Sequence, residues 1–203
     1  KTQPSVYTMQ AFIDGSTRAD LSIQVSEVQA ANVPTLHGTM WGGNLSVIAS
    51  LAGSAYLPQP EGGILFLEDV GEQPYRLERM LQTLHLAGIL KRQQAIVLGN
   101  FRMGSARDVY DGGYDLSSVI LTLRRISGIH VLTGFPFGHI SDIATFPLGV
   151  QTTIRGNSTG GYSASFSGHP VLNSAALMLN NLLPPPPSSD SPAAAEDSSE
   201  ASE

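Results

Sequence analysis

Between residues 64 and 134 the chain alternates short apolar runs with amphipathic stretches, and this rhythm leaves few folds open. Residues 64–67 (ILFL), 95–98 (AIVL) and 130–134 (HVLTG) are runs of the length and composition of buried strands. Pro74 is suited to a helix start, and Leu77, Met80, Leu81 and Leu84 form one apolar stripe behind it, with Gly88 near the end. Asp115 can cap a second helix whose Leu116, Val119, Ile120, Leu123 and Ile126 point inward, and Gly128 can terminate it. The order strand–helix–strand–helix–strand predicts a parallel α/β unit with right-handed crossovers.

Such a unit gathers chemistry at the carboxyl ends of its strands. Two chemically able side chains fall there. Residues 64–67 deliver Glu68 and Asp69, and 130–134 lead through Phe135, Pro136, Phe137 and Gly138 to His139. A carboxylate and an imidazole so placed suggest a hydrolytic relay in which the acid orients the base. Other roles compete: Glu68 could cap a helix or pair with Arg76 or Arg79, and His139 could face solvent from its loop. Asp69 and Glu72 precede the helix at Pro74, where negative charge is favourable, so a structural role is the default for both. Arg76 and Arg79 either bind a substrate carboxylate or decorate a solvated helix face, the second being the simpler expectation.

The flanking segments are less regular. Residues 6–13 (VYTMQAFI) and 21–25 (LSIQV) read as strands of a β-rich opening segment spanning 1–32. Asn44 can cap a helix carrying Leu45, Ile48, Ala49 and Ala52, with Gly53 as its stop. Trp41, Gly42, Gly43 and Asn44 suit either a close backbone approach to substrate or tight strand–helix packing. Residues 144–150, 152–154 and 162–167 suggest short strands completing the sheet, with His169 after the last of them. A short apolar extension, 173–183, leads to a Pro, Ser, Ala and acid tail, 184–203, that reads as disordered and solubilising.

Charge and composition exclude several classes. The formal net charge is -6, but five acids lie beyond residue 189, leaving the rest nearly neutral. No Lys/Arg cluster with interleaved aromatics marks a nucleic-acid surface. No run approaches the roughly 18 apolar residues of a membrane span, and the start does not read as an export signal. Zero cysteines exclude disulfides and thiolate metal sites and agree with a reducing compartment. His37, His85, His130, His139 and His169 show no metal-ligand spacing, so no metal or cofactor is expected. The first residue is Lys1, as in a processed or truncated product.

Several long motifs, in order, resemble the C-terminal half of the LD-carboxypeptidases, the murein tetrapeptide carboxypeptidases. They are residues 38–45 (GTMWGGNL), 63–81 (GILFLEDVGEQPYRLERML), 87–101 (AGILKRQQAIVLGNF), 134–139 (GFPFGH) and 147–149 (PLG), and the likeness runs over 33–172. The family consists of serine peptidases with a Ser-Glu-His triad. The resemblance implies that Glu68 is the catalytic glutamate, His139 the catalytic base, and 33–172 a swivelling, barrel-like domain. It further implies cytoplasmic peptidoglycan recycling, a muropeptide substrate releasing terminal D-alanine, no cofactor and a homodimer.

The departure is the nucleophile. The family's serine lies in a preceding domain, in a Gly-x-Ser-Asp turn, and no such sequence occurs here. The N-terminal nucleophile domain is therefore expected to be missing and this chain alone to be inactive. Residues 156–160 (GNSTG) satisfy Gly-x-Ser-x-Gly but lack the strand–turn–helix context of a nucleophile elbow, so Ser158 is expected in a polar hairpin turn. Two other functions stay open: a self-immunity peptidase acting on a peptide-nucleotide antibiotic, and a non-catalytic module that binds muropeptide or a partner chain.

Overall fold

The structure, a computed structural model, describes residues 3–104, 107–174 and 177–178. Its centre is the expected parallel unit. Strands β3 (Gly63–Val70), β4 (Gln93–Arg102) and β5 (His130–Leu132) lie side by side in parallel, linked by helices α3 (Pro74–Leu86) and α4 (Leu116–Ser127). Each helix begins and ends where local chemistry dictates. Pro74 occupies the first turn of α3. Asp115 accepts from the Ser118 N–H at 2.9 Å, and Gly128 closes α4 in the left-handed conformation.

Four further strands extend this unit into a seven-stranded mixed sheet: β1 (Ser22–Val25), β2 (Leu36–Asn44), β6 (Val150–Gly156) and β7 (Tyr162–Ser167). The spatial order is β1-β7-β6-β2-β3-β4-β5. Strand β2 runs parallel to β3 and antiparallel to β6, and β7 is antiparallel to both β6 and β1. Glycines in β2 permit its approach to the neighbouring chain: a Cβ on Gly42 would stand 2.0 Å from the Phe66 carbonyl oxygen, and one on Gly38 2.3 Å from that of Gly62. The same glycines lower β-propensity, which is why this central strand is faint in sequence.

Two apolar layers follow from strand alternation. Leu65, Leu67, Ile96 and Leu98 face the helices and meet Leu45 and Ile48 of α2 (Leu45–Ser50), Leu77, Leu81 and Leu84 of α3, and Val119 and Leu123 of α4. Ile64, Phe66 and Val97 face the other way, toward Ile23, Val25, Ile154, Tyr162 and Phe166. Residues of β1 and β5, the two edge strands, thus share one interior. The edges meet through Gln29, whose carboxamide accepts from the Thr133 N–H at 2.8 Å and donates to the Thr133 carbonyl at 3.3 Å. The sheet is curled and barrel-like, with a side chain in place of a closing ladder.

Two sequence expectations are corrected. Residues 6–13 belong to a helix, α1 (Val6–Thr17), capped by the Ser5 hydroxyl, which accepts from the Thr8 N–H at 3.1 Å; the opening segment is one helix and one strand. Tertiary docking holds it: the Thr8 hydroxyl donates to the Ser141 carbonyl and accepts from the Ile143 N–H. Residues 144–149 form no strand, although Ala144 and Phe146 both point inward. Pro147 and Gly149 interrupt the run, and β6 starts at Val150. The tail at 184–203 and, within the extension at 173–183, residues 175–176 and 179–183 lie outside the described residues. No helix among the described residues is long and apolar enough to cross a membrane.

Candidate functional site

An aromatic cluster under the carboxyl ends of β3 and β4 positions the predicted pair. The Phe66 ring lies 5.6 Å from Phe135, 5.5 Å from Phe137 and 5.2 Å from Phe146, centroid to centroid, mostly in tilted or edge-on contacts. Glu68 follows Phe66 by two residues and shares its interior face of β3; His139 follows Phe137 by two along its loop. Both residues therefore leave the same ring cluster at the same end of the sheet. Glu68 is half-buried and His139 exposed, and neither has a hydrogen-bond or ion-pair partner among the described residues.

A bulge in β4 brings the two chain segments together. Leu67 pairs with Leu98 and Asp69 with Phe101, so Glu68 lies opposite the extra residue at Gly99–Asn100. The His139 loop seats on that bulge: the Asn100 N–H donates to the Phe137 carbonyl at 2.7 Å, and the Phe135 N–H to that of Leu98 at 3.2 Å. Only glycine fits on either side of the seat. A Cβ at Gly138, whose φ is +125°, would meet the Asn100 carbonyl oxygen at 2.7 Å, and one at Gly99 the Phe137 carbonyl oxygen at the same distance.

Asp69, the neighbouring carboxylate, points to the helical face and is 3% exposed. It accepts from the Ser46 N–H at 2.9 Å, the Ser46 hydroxyl at 2.6 Å, Asn44 Nδ2 at 3.1 Å and its following Val70 N–H at 2.8 Å. It ties the start of α2 to the end of β3. Asn44 also caps α2, accepting from the Val47 N–H at 3.2 Å, and stands opposite Glu68 in the β2–β3 register. Gly43 beside it has φ +145° and open space where a Cβ would be. Trp41 lies elsewhere: it is 4% exposed in the helical core, and its indole N–H donates to Gln93 at the start of β4, the opposite end of that strand. Of the three suggested substrate contacts, Gly43 and Asn44 flank Glu68 and Trp41 packs.

The alternative partners for Glu68 are engaged differently. Arg76 pairs with Glu72 at 3.7 Å, and both Arg76 and Arg79 lie over the Tyr75 ring. Ser158 sits in the β6–β7 turn, where the Asn157 side chain accepts from the N–H groups of Thr159 and Gly161. This is the polar hairpin expected of it. A groove of about 850 Å3 opens beside the His139 loop, lined by Gly99, Asn100, Ile120, Arg124, Phe135 and Pro136 among others. Sequence periodicity gave no sign of this groove, because its wall combines one face of α4 with loops distant in the chain.

Residues 37–154 match the LD-carboxypeptidase C-terminal domain family. Among curated relatives, the murein tetrapeptide carboxypeptidase of Pseudomonas aeruginosa is 36% identical over 124 residues, covering 60% of this chain and 39% of its own length. The microcin C7 self-immunity protein of Escherichia coli is 30% identical over 120 residues, covering 59% and 34% respectively. The crystal structure of muramoyltetrapeptide carboxypeptidase from Oxalobacter formigenes superposes with a TM-score of 0.76 at 38% identity, over 84% of this chain and 58% of that one. The chain thus spans well under half the length of these curated relatives. The matched residues contain both Glu68 and His139, and the chain belongs to the LD-carboxypeptidase C-terminal domain family.

Proposed function

We propose that this chain supplies the acid–base half of a serine carboxypeptidase that hydrolyses the L,D-amide bond of murein tetrapeptides, releasing terminal D-alanine during cytoplasmic peptidoglycan recycling. The supporting observation is the placement of Glu68 and His139 over one aromatic cluster, with Gly43 and Asn44 alongside. The serine comes from outside these residues, so the isolated chain is inactive. In the complete site His139 removes the serine hydroxyl proton as the oxygen attacks the amide carbonyl. It then protonates the departing amine of D-alanine, and a water repeats the cycle to free the acyl group. Glu68 holds the imidazole in the useful tautomer and stabilises imidazolium. The working enzyme is a homodimer.

Turnover of a murein tetrapeptide by the intact parent enzyme tests this reading. His139→Ala and Glu68→Ala should each lower kcat by at least about a hundredfold, His139 more severely, with the fold preserved. A loss below about tenfold at both positions would refute the assignment. The similarity to the microcin C7 self-immunity protein favours a second reading, hydrolysis of an aminoacyl-nucleotide. A substrate panel separates them, since preference for the nucleotide conjugate over the tetrapeptide would displace the first. In a third reading the chain binds muropeptide or a partner without catalysis, and it gains if the Glu68→Ala/His139→Ala double variant binds ligand as well as wild type does.

A further inference from the structure

Past the ends of β3 and β4 lies a surface that the relay does not use. Tyr75, at the start of α3, and Tyr110, in the loop before α4, meet edge to face with ring centroids 5.3 Å apart. Arg76 Nε donates to the Tyr75 hydroxyl at 3.0 Å, and the guanidinium carbons of Arg76 and Arg79 stand 5.8 and 5.9 Å from the Tyr75 ring centroid. The cluster is open to solvent, for Tyr110 is 83% exposed.

A buried acid builds this surface. Asp108 is 7% exposed, and its two carboxylate oxygens accept from the Tyr75 N–H at 2.8 Å and the Tyr110 N–H at 2.9 Å. Burying a carboxylate is costly unless it is well bonded. Here it fixes the start of α3 against the loop before α4, so that a half-exposed Tyr75 stands together with the exposed Tyr110 and Arg76. An aromatic face beside a guanidinium suits a ligand that combines a flat or aliphatic part with a carboxylate. Beyond its contacts with Tyr75, Arg76 meets the half-buried Glu72 carboxylate at 3.7 Å, a pair weak enough to exchange.

Resting on the carboxypeptidase reading above, we propose that Tyr75, Tyr110 and Arg76 form a subsite for an internal carboxylate of the murein stem peptide. The terminal carboxylate adjoins the scissile amide and so belongs over Glu68 and His139 on the interior face of β3. The tyrosine platform stands on the helical side of the same sheet end, and the group it takes is therefore another carboxylate of the peptide.

The test is calorimetric titration of the full chain, with Arg76→Ala and Tyr110→Ala variants, against a synthetic murein tetrapeptide and its analogue amidated at the internal carboxylates only. Arg76→Ala should weaken binding of the free acid about tenfold and leave the amidated analogue within about twofold, whereas Tyr110→Ala should weaken both. Both side chains are exposed, and unchanged melting temperatures check that the variants fold. Equal affinity across the variants, no preference for the free acid, or no binding by the wild-type chain would each overturn the subsite. In the intact enzyme Arg76→Ala should raise KM with kcat unchanged. If the relay variants abolish turnover while Arg76→Ala leaves KM unaltered, the carboxypeptidase reading stands and the subsite falls.

Discussion

Glu68 and Asp69 are adjacent carboxylates with opposite surroundings, because strand alternation sends one to the interior mouth and the other to the helices. Asp69 satisfies two backbone N–H groups and two side chains, so Asp69→Ala should cost about 2–3 kcal/mol in urea unfolding of the chain. Glu68, with no such partners among the described residues, should tolerate alanine with a loss under about 1 kcal/mol. If Glu68→Ala proved the more destabilising change, the structural and catalytic roles assigned to the two acids would have to be exchanged. In sequence the two are a bare Glu-Asp pair after an apolar run; the resemblance to a family, and not periodicity, singles out the first. The strand does predict that they diverge, and only the Ser46 and Asn44 contacts show which one is spent on structure.

Elements with strong local signals were legible and those held by distant contacts were not. Helix α4 illustrates the first case: Asp115, an inward stripe and Gly128 define it from end to end. The hydrogen bonds from Ser118 hold the Asp115 carboxyl below its ordinary value. A carboxyl depressed by folding stabilises the folded state above its unfolded pKa, and that contribution is lost as pH falls through the folded value. Asp115→Asn retains an acceptor for the Ser118 N–H but not the charge. Its deficit in unfolding midpoint relative to wild type should therefore be larger at pH 7 than at pH 3, below the ordinary aspartate range of about 4. A deficit that does not change with pH would show that the cap works without its charge. Helix α1 illustrates the second case: its buried contribution is Ile13 and its hold comes through Thr8 to residues 141 and 143, which no local pattern reveals. Residues 144–149 are the converse, inward alternation without a ladder, and β2 was hidden by the glycines its neighbours require.

At the scale of the molecule, the proposed relay depends on the sheet curling far enough that loops from separate strands share one end. Parallel order alone would bring Glu68 and the His139 loop to that end, but it would leave β5 as a free three-residue edge from which the loop departs. Gln29 removes that freedom. Its carboxamide, 8% exposed, pairs with both backbone groups of Thr133, and the Thr133 carbonyl also accepts from the Tyr162 hydroxyl at 3.3 Å. Burial raises the pKa of that phenol above its ordinary value, so it stays a donor across the physiological range. Gln29→Ala should leave the Thr133 N–H without its acceptor and cost about 1–3 kcal/mol in urea unfolding. Hydrogen exchange gives the sharper reading, because the loss should be local. The Thr133 amide and those of β5 should lose protection relative to β3, whose ladders on both sides are untouched. If the Thr133 amide exchanged as slowly in the variant as in wild type, closure would rest on the apolar interior shared by β1 and β5, and Gln29 would be a passenger on a sheet already curled by its core.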